Sequence, residues 1–147
     1  MPGSVNIPRF VLDASVALGW FLDHPVSPYA TRVKQLLLNG SRAVVPALWH
    51  LEMANGLAMA QRRRILTPAD TDRCLVHLEQ LLAQAIESET DFFSVRQALM
   101  TARAFDLSAY DGVYLDAARH DKLPLASLDQ HLRAAASLAG VELVPPV

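Results

Sequence analysis

Phe10-Val11-Leu12-Asp13-Ala14-Ser15 decides the reading of this chain. Three consecutive apolar residues, too few for a helix and flanked by polar punctuation, form a short buried strand. The carboxylate directly after them sits at that strand's carboxyl end. In open α/β sheets this is the edge where ligands bind. Taken alone, Asp13 also reads as the N-cap of a following helix, predicted from Ala14 to about Leu22.

Outward from this stretch, β-like and helical segments alternate. Pro25 and Pro28 punctuate a turn, and Ser27-Pro28 starts a helix with Val33, Leu36 and Leu37 on its face, closed by Asn39-Gly40. Residues 43–45 are a second short strand. Pro46 opens a long helix ending near Arg62-Arg63-Arg64. Thr67-Pro68-Ala69-Asp70 has the spacing of a capping box with proline in the first turn. The helix behind it carries Cys74, Leu75, Leu78, Leu81 and Leu82 as one apolar stripe, with Cys74 read as a buried small hydrophobe. Further helices are predicted over about 93–105, from Ser108 to near His120, and up to Gly140. Residues 123–127 and 141–144 read as the remaining strands, with Pro124 near the start of its own. Alternating strands and helices imply a parallel sheet covered on both faces.

The totals bound the function. With 147 residues, 52% of them hydrophobic, the chain has the length of one domain with one core. A net charge of −2 excludes a strongly basic nucleic-acid-coating protein, but not a nuclease whose phosphate contacts are local. Cys74 is the only cysteine, so neither an internal disulfide nor a thiolate zinc site can be built. Asp13 interrupts the apolar stretch from Phe10 to Leu22, no basic opening precedes it, and no run approaches a bilayer span, so a cytoplasmic location is expected.

Four carboxylates stand out. Asp13 and Asp129 each follow a strand, and each also suits a helix cap. Asp111 lies in the first turn of the helix opened by Ser108, where Ser108-Ala109-Tyr110-Asp111 fits a shortened capping box. Glu52 is the most informative. Its neighbours one turn away are Leu48, Trp49, Asn55 and Gly56, a face that is not solvated. A buried Glu needs a cation, a hydrogen bond or a proton, and Gly56 leaves room above the carboxylate. The alternative is a Glu that snorkels to solvent or pairs with an arginine. Asp116, five residues after Asp111, points about 140° away around the helix and either rims the same pocket or is exposed.

A parallel sheet brings strand ends and the helices after them to one edge. Several anions gathered there repel one another unless neutralised, and an oxygen-only cluster of this kind suits Mg²⁺ or Mn²⁺. Other chemistries lack their parts: there is no glycine-rich phosphate loop, no G-x-S-x-G and no H-E-x-x-H. His24, His50, His77, His120 and His131 have no metal-ligand spacing and are assigned to structure or surface. The Arg62-Arg63-Arg64 run reads either as a charged helix end in solvent or as an RNA contact.

These residues resemble those of PIN-domain nucleases. Asp13-Ala14-Ser15 is similar to the family's opening D-x-S. Glu52 with Asn55 is similar to its second acidic motif, Ser108–Asp111 running on to Asp116 to its third, and Leu125-Ala126-Ser127-Leu128-Asp129 to its fourth. Their order and spacing resemble the VapC toxins of type II toxin–antitoxin pairs over nearly the whole chain.

The resemblance implies a single PIN-like α/β domain over residues 1–147, with a parallel sheet of four to five strands in the order 3-2-1-4-5. It implies a Mg²⁺- or Mn²⁺-dependent endoribonuclease acting on RNA of the tRNA or rRNA class, a homodimer, and a cognate antitoxin that masks the site. Asp13, Glu52, Asp111 and Asp129 would be the metal-binding and catalytic acids, with Ser15, Asn55, Asp116 and Ser127 around them. The alternatives are a PIN nuclease in RNA processing or acting on DNA, and a catalytically inactive interaction module. A small phosphatase on a doubly wound sheet is a more distant one, because Asp13-Ala14-Ser15 lacks a second aspartate.

Overall fold

The computed structural model describes residues 6–90 and 93–145. The elements in chain order are β1 (Arg9–Leu12), α1 (Ala14–Leu22), α2 (Pro28–Leu38), β2 (Arg42–Val45), α3 (Ala47–Arg62), α4 (Pro68–Gln84), β3 (Ile86–Ser88), α5 (Val95–Phe105), α6 (Ala109–Asp121), β4 (Leu125–Ala126) and α7 (Gln130–Leu138). The four strands form one parallel sheet in the order β3-β2-β1-β4. Val11 pairs with Val44 on one side and Leu125 on the other, and Val44 pairs with Glu87. Phe10, Val11 and Leu12 are fully buried, as a central strand covered on both faces requires.

The predicted helices appear with their expected caps. Ser27 accepts from Ala30 N at 3.1 Å. Thr67 and Asp70 form the reciprocal capping box. Gly40, at φ 104°, turns the chain out of α2 in a conformation that side chains rarely adopt.

Four expectations need correction. The strand β3 was not legible, because Ile86-Glu87-Ser88 follows α4 with one intervening residue and has a single large apolar residue to mark it. The strand expected over 123–127 is only two residues long. Leu123 is used up closing α6, donating its N–H to Ala118 O at 3.0 Å, and the Pro124 ring has no N–H to give. The last strand is reduced to a single parallel bridge between Leu125 and Leu143, so the fifth position of the sheet is vestigial. In the stripe of α4, Leu78 and Leu81 enter the core, but Leu75 is exposed and Cys74 half-buried. Leu82, seven residues on and on nearly the same face, does pack against the core, so only the part of that stripe nearer the C-terminus of α4 is covered.

Two close approaches set the helix layer beside the sheet. A β-carbon at Gly56 would stand 2.5 Å from Cδ2 of Leu18, so the bare glycine of α3 is the notch into which α1 seats. The room at Gly56 is thus occupied by Leu18 and is not space above Glu52. Trp20 of α1 donates its indole N–H to Ala30 O at 2.8 Å, tying α1 to α2. No helix among the described residues is long and apolar enough to cross a membrane.

Candidate active site

β1, β2 and β4 run parallel, so their carboxyl ends share one edge. Asp13 leaves β1 there, Pro46 leaves β2 and starts the helix that carries Glu52, and Ser127 through Asp129 leave β4. α6 feeds β4 through a short turn, so its first residues return to the same edge with Asp111. The parallel topology thus brings residues about 100 positions apart to one edge.

Asp13 is 4% exposed. Its side chain makes no cap bond to α1. It is held instead by two hydroxyls: Ser15 Oγ donates to Oδ2 at 2.6 Å and Ser127 Oγ donates to the same oxygen at 2.7 Å. Each serine oxygen in turn accepts a backbone N–H, from Leu128 to Ser15 and from Asp129 to Ser127, both at 3.0 Å. Polarised chains of this kind strengthen each bond and fix the carboxylate between the ends of β1 and β4. Asp129 does cap its helix: Oδ1 accepts from Leu132 N at 2.9 Å.

Glu52 is half-buried on α3. Its partner is a residue to which the sequence reading gave no role. The phenol of Tyr114, fully buried on α6 three positions after Asp111, donates to Oε1 at 2.6 Å. Burial, with the Glu52 carboxylate beside it, pushes the Tyr114 phenol far above its ordinary range, so it is a permanent donor. The signal was present, because Tyr114 shares a face with Asp111 at helical spacing.

The acids sense one another. Burial raises the Asp13 carboxyl above its usual range, and the charges of Asp111 and Asp129 add to that, against the offset of Ser15 and Ser127. Glu52 is raised by burial and by Asp13 and Asp111, with Tyr114 opposing. Asp111 is raised by burial and by Asp129, with Ser108 and His131 opposing. His131, assigned to surface on sequence grounds, is exposed but stands close enough for its charge to act on Asp111.

Not every expected residue joins. Asp116 turns to Thr101, whose hydroxyl lies 2.8 and 2.9 Å from its two oxygens. It lines a separate cavity of about 620 Å³ with Pro46, Val113 and Arg119. Asn55 is exposed on α3. Arg62, Arg63 and Arg64 are exposed at the far end of α3, and Arg62 lies roughly 15 Å along the axis from Glu52. Among the described residues no group of three or more Asp, Glu, His or Cys side chains is placed so that it could hold a metal ion as the structure stands. The donors offered at the sheet edge are carboxylate oxygens, partly desolvated and mutually repelling, a set suited to a hard divalent cation.

Comparison with known proteins agrees with this architecture. The family model described as PIN domain matches residues 10–138. Among solved structures, PAE2754 from Pyrobaculum aerophilum superposes with a TM-score of 0.65 at 19% identity, covering 90% of this chain and 87% of that one. FitAcB from Neisseria gonorrhoeae superposes with a TM-score of 0.63 at 21% identity, covering 93% of this chain and 97% of that one. At such identities the likeness concerns the fold. No curated protein sequence matches the chain.

Proposed function

Because the chain belongs to the PIN domain family, a nuclease fold whose members generally depend on divalent metal ions, we propose that it is a Mg²⁺- or Mn²⁺-dependent endoribonuclease. In this reading it is the toxin of a type II toxin–antitoxin pair, a cytoplasmic homodimer that cleaves RNA of the tRNA or rRNA class and is silenced by a cognate antitoxin. The observation that carries the nuclease reading is that β1, α3, α6 and the turn after β4 bring Asp13, Glu52, Asp111 and Asp129 to one sheet edge, with Asp13 tied to Ser127 and Glu52 to Tyr114.

Those four acids would hold the cation. When bound, it supplies positive charge against the phosphate oxygens and makes water a stronger acid. The residues of the chain do the rest. Ser15 and Ser127 favour the ionised form of Asp13 against its burial and hold it in place. Glu52, with Oε1 engaged by Tyr114, keeps Oε2 for the cation and so orients the attacking water beside it. Water oxygen bonds to phosphorus, the phosphorus–oxygen bond to the leaving ribose breaks, and the proton lost by the water is made up on the departing ribose oxygen from solvent, so the chain is cut by hydrolysis. Arg62, Arg63 and Arg64 lie outside this chemistry, where they can meet only the distal part of a long substrate.

The test is cleavage of total RNA by the purified protein with Mg²⁺, Mn²⁺ or EDTA, with the ends mapped and DNA run in parallel. Asp13→Asn and Glu52→Gln should each reduce metal-dependent RNA cleavage at least about 100-fold. Full activity of both amide variants would refute the mechanism. Growth arrest on expression, relieved by the product of an adjacent gene, checks the toxin assignment.

A further inference from the structure

Three of the acids give one oxygen to the protein and keep one back. Asp13 Oδ2 takes both serine hydroxyls, Asp129 Oδ1 takes the Leu132 N–H, and Glu52 Oε1 takes the Tyr114 phenol. The serines and the cap also serve the backbone around them. Tyr114 links three separate helices. Its O–H donates to Glu52, and its oxygen faces the backbone N–H of Ala14, the residue after Asp13. This side-chain hydrogen bond joins α3 to α6. The phenol therefore spans the start of α1, the middle of α3 and the acid-bearing end of α6.

We propose that Tyr114 is a positioning residue that restricts Glu52 to a single donor oxygen, and so biases the carboxylate cluster toward a small octahedral cation and against a larger one. The proposal rests on the reading that the cluster binds a divalent cation. The physical ground is coordination chemistry. Mg²⁺ demands near-ideal octahedral geometry at about 2.0–2.1 Å, whereas Ca²⁺ accepts more oxygens at about 2.3–2.6 Å and readily takes both oxygens of one carboxylate. A Glu52 with Oε1 held in a 2.6 Å hydrogen bond offers Oε2 alone. Without the phenol O–H, the carboxylate can rotate and present both.

Tyr114→Phe keeps the buried ring and removes only the donor. The experiment is direct titration of Mn²⁺ and of Ca²⁺, without RNA, into the wild type, Tyr114→Phe, Glu52→Gln and the double variant. Tyr114→Phe should weaken Mn²⁺ binding about 10- to 100-fold while weakening Ca²⁺ less, so that the Mn²⁺ preference narrows. In the Glu52→Gln background the same substitution should change nothing further, because its route to the metal is gone. Unchanged Mn²⁺ affinity in Tyr114→Phe, or an equal loss in both backgrounds, overturns the proposal and leaves the metal reading standing. A Tyr114→Phe chain that fails to fold also overturns it, since a phenol needed to aim Glu52 is replaceable by phenyl in the core. A wild-type protein that binds no Mn²⁺ removes the metal reading, and this proposal with it.

Discussion

Replacing Asp13 by asparagine should stabilise the metal-free protein. The substitution keeps the shape and removes a charge that is 4% exposed. Two effects oppose each other. A hydrogen bond to a charged group contributes about 1.5–3 kcal/mol and a neutral one about 0.5–1.5, so the hydroxyls of Ser15 and Ser127 lose roughly 2 kcal/mol together. Burying the carboxylate costs several kcal/mol even after relaxation, and Asp111 and Asp129 repel it further. The upward displacement of the Asp13 carboxyl shows that the second effect is larger.

A net gain of about 1–2 kcal/mol at neutral pH follows, or roughly 3–6 °C in Tm for a chain of this size. The pH dependence has a definite sign. The folded protein holds the Asp13 proton more tightly than the unfolded chain, whose carboxyl titrates near 3.8. The wild type therefore loses stability as pH rises from that value through the raised one. The advantage of Asp13→Asn should be widest at neutral pH and close as pH falls toward 3.8. Saturating Mn²⁺ should reverse the order, since a ligand at 100 times its Kd adds about 2.7 kcal/mol to the protein that binds it. Thermal melts of both proteins at several pH values, in EDTA and in Mn²⁺, decide the matter. An asparagine variant less stable than wild type in EDTA at pH 7, or a gap that ignores pH, would refute the reasoning.

Two other substitutions separate scaffold from site. Thr67→Ala removes the reciprocal cap of α4 and should cost about 1 kcal/mol in urea unfolding without altering Mn²⁺ affinity. Asp116→Asn disturbs the bond from the buried Thr101 hydroxyl and should lower stability by about 1 kcal/mol, again with Mn²⁺ binding unchanged in a direct titration. A tenfold loss of Mn²⁺ affinity would put Asp116 in the site after all.

Local chemistry made most of the fold legible. Proline, serine and threonine at helix starts, glycine after α2, and the apolar runs of β1 and β2 each state their own geometry. β3 was hidden because a three-residue strand takes its stability from its neighbour on the sheet and not from its own pattern. The acids were legible as a set, since carboxylates after strands and on an apolar helix face conflict with solvation. Their partners were less so. That Asp13 is held by hydroxyls and leaves its helix uncapped depends on Ser127, 114 positions away. That Glu52 meets Tyr114 depends on how α3 and α6 lie across the sheet. Asp116 was ambiguous for the same reason: helical spacing separates it from Asp111 but does not reveal Thr101.

The seat of Leu18 in Gly56 has a mechanical reading. α1 grows directly out of Asp13, and α3 carries Glu52, so the gap between these two helices is the gauge of the mouth they frame. Its setting is one missing methyl group, on the turn of α3 after Glu52, facing the Leu18 side chain. A bulkier residue there would wedge the jaws apart while every acid stayed in the sequence. The spacing of the two helices can thus be changed at position 56 with the carboxylates left alone.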